Sequence, residues 1–251
     1  MHLQLIRVSI LGLLALGMCS PAFAEAAVLR PGSKELNTSR LQPFQAIYDV
    51  RVEGAVRGQQ GKQLSETTLL DAAGLRYVST VTHGSTAVEE VQLMKESLQP
   101  VVRNVTFLPM GVRVEFWQDA ELKGFDIDRE GSQAESITIP VDGSRFDFAS
   151  SFLVLASLPL AEGFEAKIPM IISDLGPERA NVVRAIKVRG QEKITLRNGA
   201  VYSTWVVDSK VADPSGEAVF PPQKYWISDR PPYLIRFDLG PRRSELAEVK
   251  M

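Results

Sequence analysis

Cysteine is nearly absent from this 251-residue chain, which has one, Cys19. Histidine is almost as scarce, with His2 and His83 alone, and 28 Lys and Arg stand against 30 Asp and Glu. Each shortage excludes something. A lone cysteine forms no internal disulfide, so the core has to carry stability. Zinc sites draw on several His or Cys ligands, which this composition does not supply. Proteins that grip nucleic acid carry a basic excess or patch, whereas the net charge here is −2. No apolar run approaches the roughly 20 residues of a membrane-spanning helix.

What is present first is an export pattern. Arg7 places positive charge ahead of the apolar run 8–18, and Ala22-Phe23-Ala24 supplies the small-x-small ending that a signal peptidase cuts. Residues 1–24 are therefore expected to be a signal peptide, with Ala22, Ala24 and Glu25 at the cleavage point and the mature protein in the periplasm. Lipid anchoring at Cys19 would want a small preceding residue, and Met18 is not small. Removing residues 1–24 leaves 27 basic and 30 acidic side chains, a formal charge of −3, and no cysteine. With 45% hydrophobic and 23% charged residues the chain has a globular composition.

Residues 25–42 show no period and are expected to form a flexible leader. From residue 43 the hydrophobic period is two. Phe44, Ala46, Tyr48, Val50 and Val52 share one strand face, and similar alternation returns in Leu75/Tyr77/Val81, Val112/Val114/Phe116, Ile137/Ile139/Val141 and Tyr233/Ile235/Phe237/Leu239. Turn signals separate these runs: Gly84, Gly111, Asp142-Gly143 and Asn198-Gly199. Asn198-Gly199 suits a two-residue type I′ hairpin pairing 191–196 with 201–207. Short strands joined by tight turns predict one antiparallel, β-rich domain over 43–251.

One stretch breaks the rhythm. In RFDFASSFLVLASLPLAEG, Asp147 can cap a helix that runs to Leu158 before Pro159 stops it, with Phe148, Phe152 and Leu155 on one face. Such a helix measures about 18 Å by 10 Å, whereas about ten strands at ~4.8 Å spacing span ~48 Å. One short buried helix cannot roof that sheet. The fold is thus expected to be mainly β, an antiparallel and strongly curled sheet, half-barrel or barrel-like, unless a second sheet covers it. Its interior would be packed or hollow enough for a ligand.

Catalytic patterns are sparse. His83 ends the strand LRYVSTVTHG before a glycine, and no Gly-x-Ser-x-Gly elbow accompanies it. In DIDREG, Asp126, Asp128, Glu130 and Gly131 suggest a calcium loop, but its twelfth position is Ile137 instead of a glutamate. Glu89 and Glu90 are adjacent, so on a strand they face opposite sides. No catalytic residue, metal or other cofactor is expected. Trp226 and Tyr233 flank Pro231-Pro232 and could be core aromatics at a strand corner or part of a cavity mouth, where amphipathic rings suit a wet rim.

The order of Leu98-Gln99-Pro100, Arg145-Phe146-Asp147, Leu158-Pro159-Leu160-Ala161-Glu162-Gly163, Val188-Arg189-Gly190-Gln191-Glu192 and Tyr225-Trp226-Ile227-Ser228 resembles the bacterial exported family of domain of unknown function 3108. The resemblance spans roughly 43–239. It implies an antiparallel sheet with few helices and a cell-envelope location, and it brings no known catalytic residues. More remotely, the architecture is similar to the LolA and LolB lipoprotein carriers, whose half-barrel shelters acyl chains. The functional expectation is a periplasmic, non-catalytic binding or carrier module for an apolar ligand, a lipid or an envelope protein. An assembly scaffold with a filled core, working through strand edges, is the alternative, and a hydrolase built on His83 the third.

Overall fold

The structure, a computed structural model, describes residues 26–52, 63–107, 110–118, 120–128, 130–131 and 134–250. The expected signal peptide, with Cys19, Ala22, Ala24 and Glu25, lies outside the described residues. Strands come first in the chain: β1 (Ala27–Val28), β2 (Phe44–Val52), β3 (Gln63–Ala72), β4 (Arg76–His83), β5 (Ala87–Met94), β6 (Pro100–Phe107), β7 (Gly111–Gln118), β8 (Glu121–Asp128), β9 (Ala134–Pro140) and β10 (Phe146–Asp147). The helix α1 (Ser151–Ser157) follows, then β11 (Glu165–Ile171), β12 (Asn181–Thr195), β13 (Val201–Ala212), β14 (Gln223–Ile227), β15 (Leu234–Leu239) and β16 (Arg242–Lys250). These strands form one sheet. Its path runs β1-β11-β12-β13-β14-β15-β16-β2-β3 and onward in sequence to β9, with β10 also on β11.

Every neighbouring pair is antiparallel except β1 and β10, which lie parallel to β11. That exception decides the shape. β1 and β10 pair along β11 at Ala27↔Ala166 and Phe146↔Met170, so they take up the edge where a closing strand would have paired. In the expected half-barrel or barrel-like sheet the strong curl alone is corrected: the sheet is open, with β9 at one end and β1 and β10 side by side along β11 at the other. The mainly β, antiparallel character with one short buried helix is as expected.

Three further corrections have local causes. The segment 25–42, expected to be a flexible leader, packs into the fold where it is described: β1 pairs with β11, Leu29 and Leu41 are buried, and Asn37 N–H donates to Ser157 O at 2.8 Å. Its apolar residues are too few and irregular to show a period, yet they complete the core. The helix is shorter than expected because Phe146 and Asp147 are taken into β10; α1 starts at Ser151, and all seven of its residues are buried. In the hairpin at Asn198-Gly199, Gly199 N–H donates to Leu196 O and only Gly199 has a positive φ, +83°. That is the turn-plus-bulge loop, not the two-residue type I′ form.

The main core lies between α1 and the inner face of β2–β5 and β11–β16, where Phe44, Leu69, Tyr77, Leu93, Ile168, Val207 and Ile235 surround Leu153 and Leu155. A second, smaller cluster joins Leu122 and Ile139 to Ile171 and Ala180. Among the described residues no helix is long and apolar enough to cross a membrane.

Candidate functional site

Residues paired across neighbouring strands point to the same face of a sheet. One inner row reads Ala46, Thr67, Val81, Glu89, Val105, Arg113, Asp126, and the next Leu69, Ser79, Val91, Arg103, Glu115, Gly124. Crossing from β2 to β8, the inner surface thus changes from apolar to charged. On β7 the inward residues are Arg113 and Glu115, so Val112, Val114 and Phe116, expected to share the core face, point outward, Val112 being 36% exposed. The reason lies in what covers the surface. Over β6 and β7 sit Ser173 and Asp174 of a short turn and Asp147 of β10, which offer charge partners instead of hydrocarbon.

Arg103 is the hub of this network. Its guanidinium donates to Glu89, to Glu115 Oε2 at 3.1 Å and to Ser173 Oγ at 2.9 Å, with Asp147 at 4.0 Å and Asp174 at 3.5 Å. Arg113 grips Asp126 with two hydrogen bonds of 2.7 and 2.8 Å and also reaches Asp174. Burial works against the Arg103 charge, but the carboxylates of Asp147, Glu115 and Glu89 outweigh it and raise its pKa. Glu89 is driven the other way: burial would raise it, yet hydrogen bonds from His83 and Arg103 bring it down to about 2. Asp147, wholly buried, is pushed up to about 7, burial and the neighbouring Glu89 and Glu115 together exceeding the pull of Arg103. A buried ionic group of this kind costs several kcal/mol of desolvation per ion, recovered only while every partner stays in place.

Beside the network, where the apolar and charged surfaces meet, lies a cavity of about 260 Å³. Its apolar wall combines Phe148 and Phe152 at α1, Phe220 from the loop before β14, and Tyr225, Leu234, Phe237 and Leu239 from β14 and β15. Tyr48, Ser65, Val81, His83 and Glu89 complete the sheet side, and Ser244 and Arg242 of β16 close one end. Behind the wall stands Arg184 of β12, 0% exposed. Its guanidinium donates to Tyr225 Oη and to Ser151 Oγ, lies 4.8 Å from the Phe148 ring and 5.2 Å from the Tyr225 ring, and leaves Nε without a hydrogen bond.

The two aromatic candidates do not meet here. Tyr233 is 0% exposed; its hydroxyl donates to Arg40 O and accepts from Gln42 N–H, both at 2.8 Å, and its ring packs edge-on against Phe44. It holds the 38–42 segment to the core with a strained positive φ of +62°. Trp226 points to the other face of the sheet, into a shallow groove beside Lys187, Lys224 and Arg236. Its Nε1 donates to Glu192 and Arg236 stacks on its ring at 4.4 Å. A shared cavity mouth made of the two is therefore corrected: the parity of β14 sends Tyr225, not Trp226, inward.

His83 does line the cavity, with Nε2 3.1 Å from Glu89 Oε2 and Ser65 opposite it across β3 and β4. Among the described residues no hydrogen bond joins Ser65 to His83, and Glu89 is held by Arg103. Asp126, one of the DIDREG acids, is bound by Arg113, and no three His, Cys, Asp or Glu side chains of the described residues gather as a metal site. Sequence reasoning passed over Arg184, Arg242 and Arg103. A signal for the first was present: in Val182, Arg184, Ile186, Val188 the arginine occupies the apolar parity of its strand.

Fold and site together define a mainly β protein in which one open antiparallel sheet shelters a small apolar cavity edged by arginine. The chain matches the family described as "Protein of unknown function (DUF3108)" over residues 50–247 and belongs to that family. Among solved structures it is similar to a "beta-barrel-like protein of domain of unknown function DUF1849" from Brucella abortus, with a TM-score of 0.54 and 12% identity over 84% of this chain and 98% of that one. That likeness concerns the fold alone. No curated protein matches the chain.

Proposed function

We propose that this protein is an exported, periplasmic binding or carrier module that takes a small apolar ligand into the cavity between α1 and the sheet. The cavity itself carries the reading. Eight of its lining side chains are aromatic or leucine and converge from β2, the α1 region, the loop before β14, β14 and β15, while Ser65, His83 and Ser244 supply a few polar contacts. Ligand sites commonly have that composition, at volumes of about 300–1,000 Å³. The space of about 260 Å³ falls just below this range and suits one short chain or ring system. Export is supported by the residues before Glu25: Arg7, the apolar run 8–18 and the Ala22-Phe23-Ala24 ending.

The test is binding of N-phenyl-1-naphthylamine, an uncharged apolar fluorophore, to purified and delipidated protein. Saturable binding is expected, and Ser244→Phe, which fills the cavity, abolishes it without lowering the melting temperature. Protein that yields no extractable ligand and binds neither this probe nor an acyl chain contradicts the reading. A second reading, a scaffold acting through strand edges, draws on β9, whose outer edge is unpaired among the described residues. Crosslinking in cells separates them, since a scaffold traps specific proteins and a carrier yields ligand.

A further inference from the structure

The cavity is apolar, yet the charge around it is not balanced. Glu89 is its acidic lining residue, and Arg103 and His83 already hold that carboxylate. Arg242, half-buried at the β16 end, forms no ion pair and no hydrogen bond among the described residues. Its neighbours on the cavity side are Leu239, directly across in β15, and Ser244. Arg184 stands on the opposite side, fully buried, with no carboxylate partner among the described residues and one orphaned N–H. The two side chains that it touches by hydrogen bond, Tyr225 and Ser151, both line the cavity. Two guanidinium groups thus act on one low-dielectric space with no anion assigned to them. A buried or half-buried cation without a partner is costly, and an anion entering this space would relieve that cost.

We infer that the ligand is an anionic amphiphile, a short apolar chain ending in a carboxylate or phosphate, whose head is held by Arg242 while the chain lies among Phe148, Phe220 and Phe237. Arg184 contributes through the field of its buried charge, and Tyr225 and Ser151 pass its polarisation to the cavity wall. The inference rests on the cavity reading above and adds the chemistry of the head group. The Ser244 hydroxyl, two residues along β16 from Arg242 on the same face, can donate to the same head.

Four probes of equal chain length test it by calorimetry on the purified protein: dodecanoate, dodecyl phosphate, dodecanol and dodecylammonium, with inorganic phosphate as a fifth arm. Both anions are expected to bind about tenfold or more tightly than dodecanol, as a charge-assisted hydrogen bond provides, and the margin narrows as salt is raised. Arg242→Gln brings the anions to the affinity of dodecanol and leaves dodecanol unchanged; Arg242→Lys keeps part of the margin. A dodecanol affinity equal to that of the anions overturns the head-group inference while leaving the cavity reading intact, as does a margin that survives Arg242→Gln in a variant with unchanged melting temperature. Inorganic phosphate binding as tightly as dodecyl phosphate also overturns it, because the site would then be for the ion and not the amphiphile. Failure of dodecanol and both anions to bind overturns the cavity reading itself.

Discussion

The two halves of the sheet solve the burial of an inner face in opposite ways. Around α1, strands β2–β4 and β11–β16 present Phe44, Leu69, Ile168 and Val207 to a helix that is buried all round, so hydrocarbon meets hydrocarbon. Across the middle of β5–β8 the inner face presents Glu89, Arg103, Arg113, Glu115 and Asp126, met by the acids Asp147 and Asp174, while Leu93 and Leu122 at its margins belong to the apolar clusters. The first half gains from area removed from water and tolerates volume-conserving change. The second gains little net stability but fails sharply when one partner goes. The cavity sits on the border, which gives one space both an oily wall and a source of charge.

The sharpest way to break this comparison is Arg103→Leu. Glu89, Glu115 and Asp147 lose their common counter-charge in a buried site, and a loss of about 3–5 kcal/mol is expected by urea denaturation. A cost below about 1 kcal/mol would mean that the acids escape to water and that the charged half is not closed. On the apolar side, Leu155→Ala should cost about 2–5 kcal/mol through lost contacts and a residual hole.

The pH dependence separates the halves further. Asp147 titrates near 3.8 when unfolded and about 7 when folded. Between those values the unfolded carboxyl is ionised while the folded one keeps its proton, so stability falls as pH rises from about 4 to about 7, by on the order of 4 kcal/mol. Glu89, lowered from 4.5 to about 2, acts in the opposite direction: its contribution is present above 4.5 and is lost as pH falls toward 2. Asp147→Asn, which keeps an acceptor for Ser150 N–H, should flatten the upper slope and raise stability at pH 8, measured as denaturation midpoints across the range. The smallest effect is expected on the outer face. Val112→Thr should change stability by no more than about 0.5 kcal/mol; a loss near 2 kcal/mol would place Val112 inside after all.

The period of two in β2 and β15 was legible because those strands have one dry and one wet side, and apolar parity then marks the core. In β7 the same rule inverts the strand. Its more hydrophobic set, Val112, Val114 and Phe116, is the outer one, since the buried side pairs Arg113 and Glu115 with ions from other elements, and parity alone carries no information about such partners. Leu29 and Leu41 were hidden for a related reason: an irregular segment that packs through two leucines has no repeat to read. The cavity was foreseen only as a question of hollow or packed. Phe148, Phe220 and Phe237, far apart in sequence, reveal a space only when the sheet order brings them together. Arg242 carried no sequence signal, being one of two adjacent arginines of which the other, Arg243, faces Asp238 on the outer side.

The sheet places β16 between β15 and β2, with Leu246 opposite Tyr48 and Arg242 opposite Val52. β16 is therefore a central strand, and it joins β2, remote from it in sequence, to β15 and the strands beyond. Until β16 is in place, neither flank has its neighbour and the hydrocarbon around α1 stays unsealed. Such remote pairing slows folding, because the long loop between β2 and β16 has to close before the contacts between them form.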